Sequence, residues 1–264
     1  MRRNAFLIFA ALASLIAGAG LFACGGGSGD DDSDDGSGTD DTGDDTGDDT
    51  GDDTGDDTGD DTAFDASVVV GNTYTLSIPL DAWTEPSGVG DVIGYYVPTI
   101  LFDVQSAGDG SLAVLAAIGT GEDPIVQNQC VVTTAFAGGT LDGAGHFAIG
   151  PEDFPIRIQT VDVTLWQTSS SGVFRADGSG FDDAVLTGTL DARELVDFFA
   201  VGGPDQICEL AGAFGADCGA CPSDGATYCV EIQAEAFPGE IVAGLTLIEI
   251  DSGDIGPDCD DTGD

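Results

Sequence analysis

The stretch Phe154-Pro-Ile-Arg-Ile-Gln-Thr-Val-Asp-Val-Thr-Leu165 alternates apolar and polar residues along most of its length. Alternation with a period of two is typical of a β-strand that turns one face towards a hydrophobic core. This stretch therefore predicts a long strand. It makes a mostly β fold the starting point for the rest of the chain.

Similar short runs, separated by turn signals, occupy most of residues 63–250. The further predicted strands are 73–79, 93–104, 111–118, 125–135, 145–149, 171–176, 184–190, 227–235 and 240–249. The breaks between them are predicted at Asp-Gly pairs, 109–110, 142–143 and 177–178, and at the Gly-Gly pair 138–139. About ten short strands at this spacing predict a single antiparallel β-sandwich or barrel, and periodicity does not choose between the two.

The stretch from 192 to 214 departs from the β pattern. Asp191 and Glu194 have the spacing of a capping box, and Leu195, Phe198 and Phe199 then share one helical face. After Gly202-Gly203, the residues at helical spacing are Pro204 in a first turn, Ile207, Leu210, Ala211 and Phe214, with Gly215 as the C-terminal cap. Two short helices inserted in the β domain are predicted here.

The charge balance is strongly acidic. The 264 residues include 49 Asp and Glu against five arginines and no lysine, for a formal charge of −44. This balance excludes nucleic-acid binding through a basic face and argues against docking on an anionic membrane surface. Residues 63–250 hold 26 of the acids and only Arg157, Arg175 and Arg193, so we expect an acidic domain surface.

The N-terminus carries an export signal. Arg2 and Arg3 precede a nearly unbroken apolar run from Ala5 to Leu21. The sequence Leu21-Phe22-Ala23-Cys24 then resembles a bacterial lipobox, whose cysteine is acylated and becomes N-terminal. We predict a signal peptide over 1–23 and lipidation of Cys24, the alternatives being ordinary signal-peptidase cleavage or an uncleaved anchor. Gly25 after the cysteine implies sorting to the outer membrane, so the expected partner is that membrane, reached through a lipid anchor, with the domain facing the periplasm or the cell surface.

Residues 25–62 contain only Gly, Ser, Thr and Asp, and they repeat Asp-Asp-Thr-Gly from Thr39 onward. None of these residues buries much apolar surface, so the segment that follows Cys24 is predicted to be a disordered acidic tether. Its 17 aspartates repel one another and extend it, which favours a spacer role; a weak calcium reservoir is the alternative. Residues 251–264 form a second, shorter acidic tail.

Six cysteines remain besides Cys24, and an even number in an exported domain predicts three disulfides. Four of them are spaced C-x9-C-x2-C-x7-C: Cys208, Cys218, Cys221 and Cys229. We expect two bridges within this cluster and a third between Cys130 and Cys259. A redox CxxC at 218–221 or a Cys₄ zinc site are the alternatives.

Together the lipobox-like Cys24, the acidic tether, the segment Leu186–Leu195 and the cysteine block resemble predicted lipoproteins of myxobacterial-type genomes. The resemblance implies the location and build of the protein, and it implies no catalytic residues.

No catalytic site, metal site or cofactor is predicted. His146 is the single histidine, expected to be half-buried at a strand start, so any Ser-His-Asp arrangement depends on it. Three adjacent acid pairs, Glu122-Asp123, Glu152-Asp153 and Asp182-Asp183, are expected in solvated turns. Four aromatic residues are predicted at the core or its rim, with a ligand groove as the alternative: Trp83, Trp166, Tyr95 and Tyr96.

Three functional hypotheses remain. The leading one is a membrane-anchored lipoprotein that presents an acidic β-rich domain for binding or for a structural role in the envelope, without catalysis. The second is a β-barrel carrier of a small apolar ligand. The third is a carbohydrate-active enzyme with two facing carboxylates.

Overall fold

The computed structural model describes residues 63–87, 96–159, 161–256 and 259. The predicted signal peptide, Cys24, the tether and Tyr95 lie outside the described residues, as do positions 257, 258 and 260–264 of the acidic tail. Among the described residues, no helix has the length and apolar character that crossing a membrane requires.

Ten antiparallel strands make up nearly half of the described residues. Their bounds are β1 Thr73–Leu76, β2 Trp83–Glu85, β3 Ile100–Gly108, β4 Ser111–Thr120, β5 Val126–Gln127, β6 Thr134–Leu141, β7 His146–Ile158, β8 Val161–Phe174, β9 Gly180–Asp191 and β10 Cys229–Ile241. Two short helices lie between β9 and β10, α1 Val196–Phe199 and α2 Pro204–Ala213. The mostly β class and the two helices near 192–214 are thus confirmed.

The sheet closes on itself, which resolves the choice between sandwich and barrel. Strand β1 pairs with β3 on one side and with β10 on the other, and the remaining strands follow in the order β3-β4-β6-β7-β8-β9-β10. Strand β2 continues along β10 beyond the end of β1, and β5 pairs with β4. The result is a barrel in which most neighbours in space are also neighbours in sequence.

The stretch 154–165 is two strands rather than the single strand predicted. Strand β7 ends at Ile158, β8 begins at Val161, and these two residues face each other across the turn. Gln159 adopts a positive φ of 57° inside this turn. The apolar positions change from even numbers before the turn to odd numbers after it, because the two-residue turn shifts the phase of the alternation.

Other predicted boundaries are also wrong. The strand predicted over 125–135 is mostly loop, in which strand structure is confined to β5 and the first two residues of β6. Gly138 and Gly139 lie inside β6, where a Cβ at Gly139 would come within 3.0 Å of the Ile149 side chain and of two backbone oxygens. Gly139 therefore serves a close approach of strands rather than a turn. The predicted strand 240–249 ends at Ile241, and the Asp-Gly turns at 109–110, 142–143 and 177–178 are confirmed.

Large side chains fill the barrel interior. Tyr74, Phe136, Phe154, Phe181 and Phe237 are all less than 2% exposed. They share one continuous hydrophobic core with aliphatic residues from all the long strands. The interior is therefore a packed core, in the manner of small barrels.

The barrel has two ends that differ in construction. The tether end carries the turns 109–110, 142–145 and 175–179, together with residues 63–72, which lead in from the tether. The cap end carries the loop 121–133, the turn at Gln159 and the helical insertion 192–228. Residue 63, the first that the structure describes, therefore lies at the end opposite the helices.

Residues 242–250, here called the strap, run along the outside of the barrel from the tether end to the cap end. Leu247 packs on an outward-facing cluster of Leu101, Leu115 and Ala117. The buried carboxylate of Asp103 accepts hydrogen bonds from the Thr73 hydroxyl at 2.8 Å and from the Leu247 amide at 3.2 Å. These contacts fix the strap to the barrel wall without strand pairing.

Candidate apolar cleft at the cap end

The helical insertion is built by local sequence signals. Helix α2 begins with Pro204, whose missing N–H costs nothing in a first turn, and Gly215 with a φ of 85° follows its end. Helix α1 is a single turn that begins at Val196, because Asp191 belongs to β9 and does not cap it. The predicted start of the first helix is therefore about four residues too early.

Two disulfides hold this insertion in place. Cys208–Cys218 ties α2 to the loop after it, and Cys221–Cys229 ties that loop to the start of β10. The third disulfide joins Cys130 to Cys259 and fastens the chain beyond the strap at the cap end. The predicted arrangement of two bridges in the cluster and one across the chain is confirmed.

The alternative uses of the cysteine cluster do not fit this pairing. Cys218 and Cys221 belong to different bridges, so they do not form a CxxC redox pair. The carboxylate of Asp191 and the sulfurs of Cys221 and Cys229 lie within 4.8 Å of one another. The two sulfurs are bonded to each other, and the carboxylate pairs with Arg193, so these donors are already engaged.

Between the two helices and the barrel mouth lies an apolar cleft with a volume of about 80 Å³. Its lining residues come from α1, α2, the last residues of β7 and β9, the start of β10 and the chain next to β2. They are Pro86, Tyr96, Ile158, Leu190, Ala192, Leu195, Phe198, Phe199, Ile207, Leu210, Ala211, Phe214 and Val230. Among the lining residues that the structure describes, Tyr96 alone has a polar atom in its side chain.

Aromatic rings form one corner of the cleft. The ring of Phe198 lies 5.1 Å from that of Tyr96 at an interplanar angle of 79°. It lies 4.9 Å from the ring of Phe199 at 83°. Because Phe198 stands nearly perpendicular to both neighbours, its contacts with Tyr96 and Phe199 are of the edge-to-face kind. All three residues are half-buried.

The charged residues beside the cleft are mostly acidic. Arg193 is held by the buried carboxylate of Asp191 and by Asp224, the latter at 2.6 Å. Arg157, next to Ile158, pairs with Asp162 at 2.6 Å. Burial raises the pKa of Glu194, an effect opposed by the hydrogen bond that its carboxylate accepts from the Thr164 amide.

Three other candidate residues that the structure describes do not line the cleft: Trp83, Trp166 and His146. Trp83 is buried in the barrel core and Trp166 is half-buried in β8. His146 is exposed rather than half-buried, and its Nδ1 lies 2.9 Å from an Asp142 carboxylate oxygen at the tether end. That hydrogen bond lowers the pKa of Asp142.

The three acid pairs are all exposed, but two of them are not in turns. Glu152-Asp153 and Asp182-Asp183 lie within β7 and β9 where the strand register shifts. Asp182 pairs with Arg175 at 2.6 Å, and this contact lowers its pKa. A carboxylate whose proton is lost more readily is a poor general acid, so Asp182 does not suit that role in glycoside hydrolysis.

The sequence pattern identifies the apolar faces of both helices but not the cleft. Leu195, Phe198 and Phe199, like Leu210 and Phe214, are recognisable as residues that a helix turns towards a core. The gap that they leave at the barrel mouth depends on how the helices sit on the strands. Comparisons with protein-family models, with curated proteins and with solved structures find no match.

Proposed function

We propose that this chain is an exported, lipid-anchored binding protein whose barrel takes a small apolar ligand in the cleft at its cap end. The observation that carries the proposal is the cleft itself, an opening walled by apolar side chains in the mouth of a barrel whose interior is full. Barrel mouths are among the preferred places for small-molecule sites.

The arrangement of the chain supports a binding role at a distance from a membrane. An acyl group on Cys24 would hold the N-terminus at the outer membrane. The acidic tether reaches the barrel at the tether end, so the cleft lies on the far side of the domain. A site so placed is open to ligands from the periplasm or the cell surface.

The size of the cleft limits the ligand. A volume of about 80 Å³ accommodates one ring or a short branched alkyl group rather than a whole lipid. Burying such a group against apolar walls is favourable in proportion to the area removed from water. The ligand is therefore bound by one apolar group, and the rest of it extends into solvent.

The test uses the mature chain, residues 24–264, with Cys24→Ser, exported to an oxidising compartment. The probe is N-phenyl-1-naphthylamine, an uncharged molecule that fluoresces in apolar surroundings; one of its rings enters the cleft and the rest extends along the opening. We expect saturable binding, and Leu210→Trp weakens it at least ten-fold because the indole fills the cleft. Ala213→Trp is the matched control, since Ala213 is exposed on the same helix and does not line the cleft.

Two results would overturn the proposal. One is the absence of saturable fluorescence with the parent chain. The other is equal affinity in Leu210→Trp and the parent chain, provided that both show the same circular dichroism. Phe214→Ala serves as a second cleft variant if Leu210→Trp does not fold.

A further inference from the structure

The aromatic corner and the charges around the cleft together restrict the chemical class of the group that the cleft binds. Tyr96, Phe198 and Phe199 meet edge to face, and Phe214 also lines the opening. Aromatic faces attract cations through the ring quadrupole, and boxes of aromatic rings are suited to ammonium groups that carry methyls. The same wall would bind a neutral group of equal shape only through the apolar area that binding removes from water.

Acidic residues surround the cleft closely in the chain. Seven acids lie within two positions of a lining residue: Glu85, Asp191, Glu194, Asp197, Asp205, Glu209 and Glu231. A separation of two residues is at most about 7 Å between Cα atoms. Five of the seven are exposed, Glu194 is half-buried, and Asp191 is buried and paired with Arg193.

The two arginines near the cleft do not reverse this balance. Arg193 contacts two carboxylates, Asp191 and Asp224, and Arg157 contacts Asp162. The potential at the cleft mouth is therefore negative, which concentrates cations there and repels carboxylates and phosphates.

We propose that the cleft binds a methylated ammonium group, of the quaternary kind found in choline. Its methyl carbons occupy the apolar volume, the ring faces of the aromatic corner contact its diffuse positive charge, and the acids at the rim attract it. The inference rests on the proposed function because it assigns a ligand class to the same cleft.

The test compares choline with 3,3-dimethyl-1-butanol, a neutral molecule of the same shape in which carbon replaces the ammonium nitrogen. Both displace N-phenyl-1-naphthylamine from the mature chain with Cys24→Ser. At low salt we expect choline to bind at least ten-fold more tightly than the alcohol. Raising the salt to 0.5 M reduces this ratio, because the rim acids are screened.

Matched variants separate the contribution of the aromatic rings from that of the rim acids. Phe198→Leu keeps an apolar wall but removes a ring face, so choline affinity falls at least five-fold while the alcohol changes less than two-fold. Asp197→Asn at the cleft weakens choline about two-fold. Asp109→Asn at the tether end is the control and leaves both affinities unchanged.

The possible failures are distinguishable. If the alcohol displaces the probe as well as choline does, the ammonium inference is wrong and the proposed apolar-ligand function stands. If the probe itself does not bind, the proposed function fails too. If choline binds equally to the parent chain and to Leu210→Trp, it is held outside the cleft by surface or tether acids, and the inference is overturned.

Discussion

At the tether end the barrel is closed by side chains packed on one another, whereas at the cap end it is covered by a helical insertion held by disulfides. Phe64 stacks on Phe174, with ring centroids 6.1 Å apart, and Tyr74, Phe147 and Phe181 complete a cluster of aromatic rings there. The Tyr74 hydroxyl donates to the Gly178 carbonyl at 2.9 Å. This end is filled.

The cap end is held by covalent bonds instead. All three disulfides lie there, and α1 has a single turn that could not form alone. Disulfides hold the helices in position even where the space beneath the helices is not completely filled. The cleft therefore lies at the end of the barrel where packing does not have to supply all the stability.

We expect the largest effect on stability from removing a disulfide. In the chain-entropy account, loss of a bridge costs more when the closed loop is longer. Replacing Cys130 and Cys259, which are 129 residues apart, by alanine should reduce the free energy of unfolding by about 5 kcal/mol. Replacing Cys208 and Cys218, 10 residues apart, should reduce it by about 3 kcal/mol. Denaturant titration of both double variants measures the difference, and equal losses would contradict the account.

The next test truncates one ring at each end. Phe181 is 1% exposed within the aromatic cluster, so Phe181→Ala leaves a cavity and should cost about 3–5 kcal/mol of unfolding free energy. Phe198 is half-buried at the cleft, so Phe198→Ala should cost about 1–2 kcal/mol, because solvent or ligand takes the space. Thermal and denaturant unfolding provide the measurement. A larger loss for Phe198→Ala would mean that the cap end is packed like the tether end.

The smallest effect is a difference in pH dependence between the ends. Burial raises the pKa of Glu194 at the cap end, so the folded state holds that proton more tightly than the unfolded state does. Its contribution to stability is therefore present at low pH and is lost as the pH rises through its folded-state pKa. Glu194→Gln should remove this pH-dependent contribution to the free energy of unfolding, which we expect to be under about 1 kcal/mol for a half-buried group.

Asp142 at the tether end provides the matched control with the opposite sign. The hydrogen bond with His146 lowers its pKa, so its contribution is present above its unfolded-state pKa and is lost as the pH falls through the folded-state value. Unfolding titrations from pH 3 to pH 7 on Glu194→Gln and Asp142→Asn should change the pH slope in opposite directions. Changes of the same sign would contradict the assignment.

Local chemistry made much of the fold predictable. The Asp-Gly turns could be located because few other dipeptides adopt the backbone angles that tight hairpins need. The proline and glycine at the two ends of α2 located that helix within a residue or two. The hairpin at 158–161 carried a readable signal as well, since the apolar positions change phase there, and a continuous strand keeps its phase.

Apart from the disulfide between Cys130 and Cys259, features that depend on packing between distant parts of the chain were not predictable. Gly139 resembles a turn residue in sequence, and only the approach of Ile149 shows why glycine is needed there. The cleft depends likewise on residues from 86 to 230 meeting at one mouth. Helical spacing identifies which side chains leave water, but it does not show whether the space that they enter is completely filled.

The seam between β1 and β10 has a consequence for how the molecule reaches its folded state. The Thr75 hydroxyl bonds to the carbonyl of Glu240, 165 positions further along the chain. Pairings of such long range form slowly, and they require that the late partner be present. If the chain is exported N-terminus first, as we propose, β1 is an open edge until β10 has left the translocation channel. The proposed export then requires that this edge be protected during transit, by helper proteins or by rapid passage.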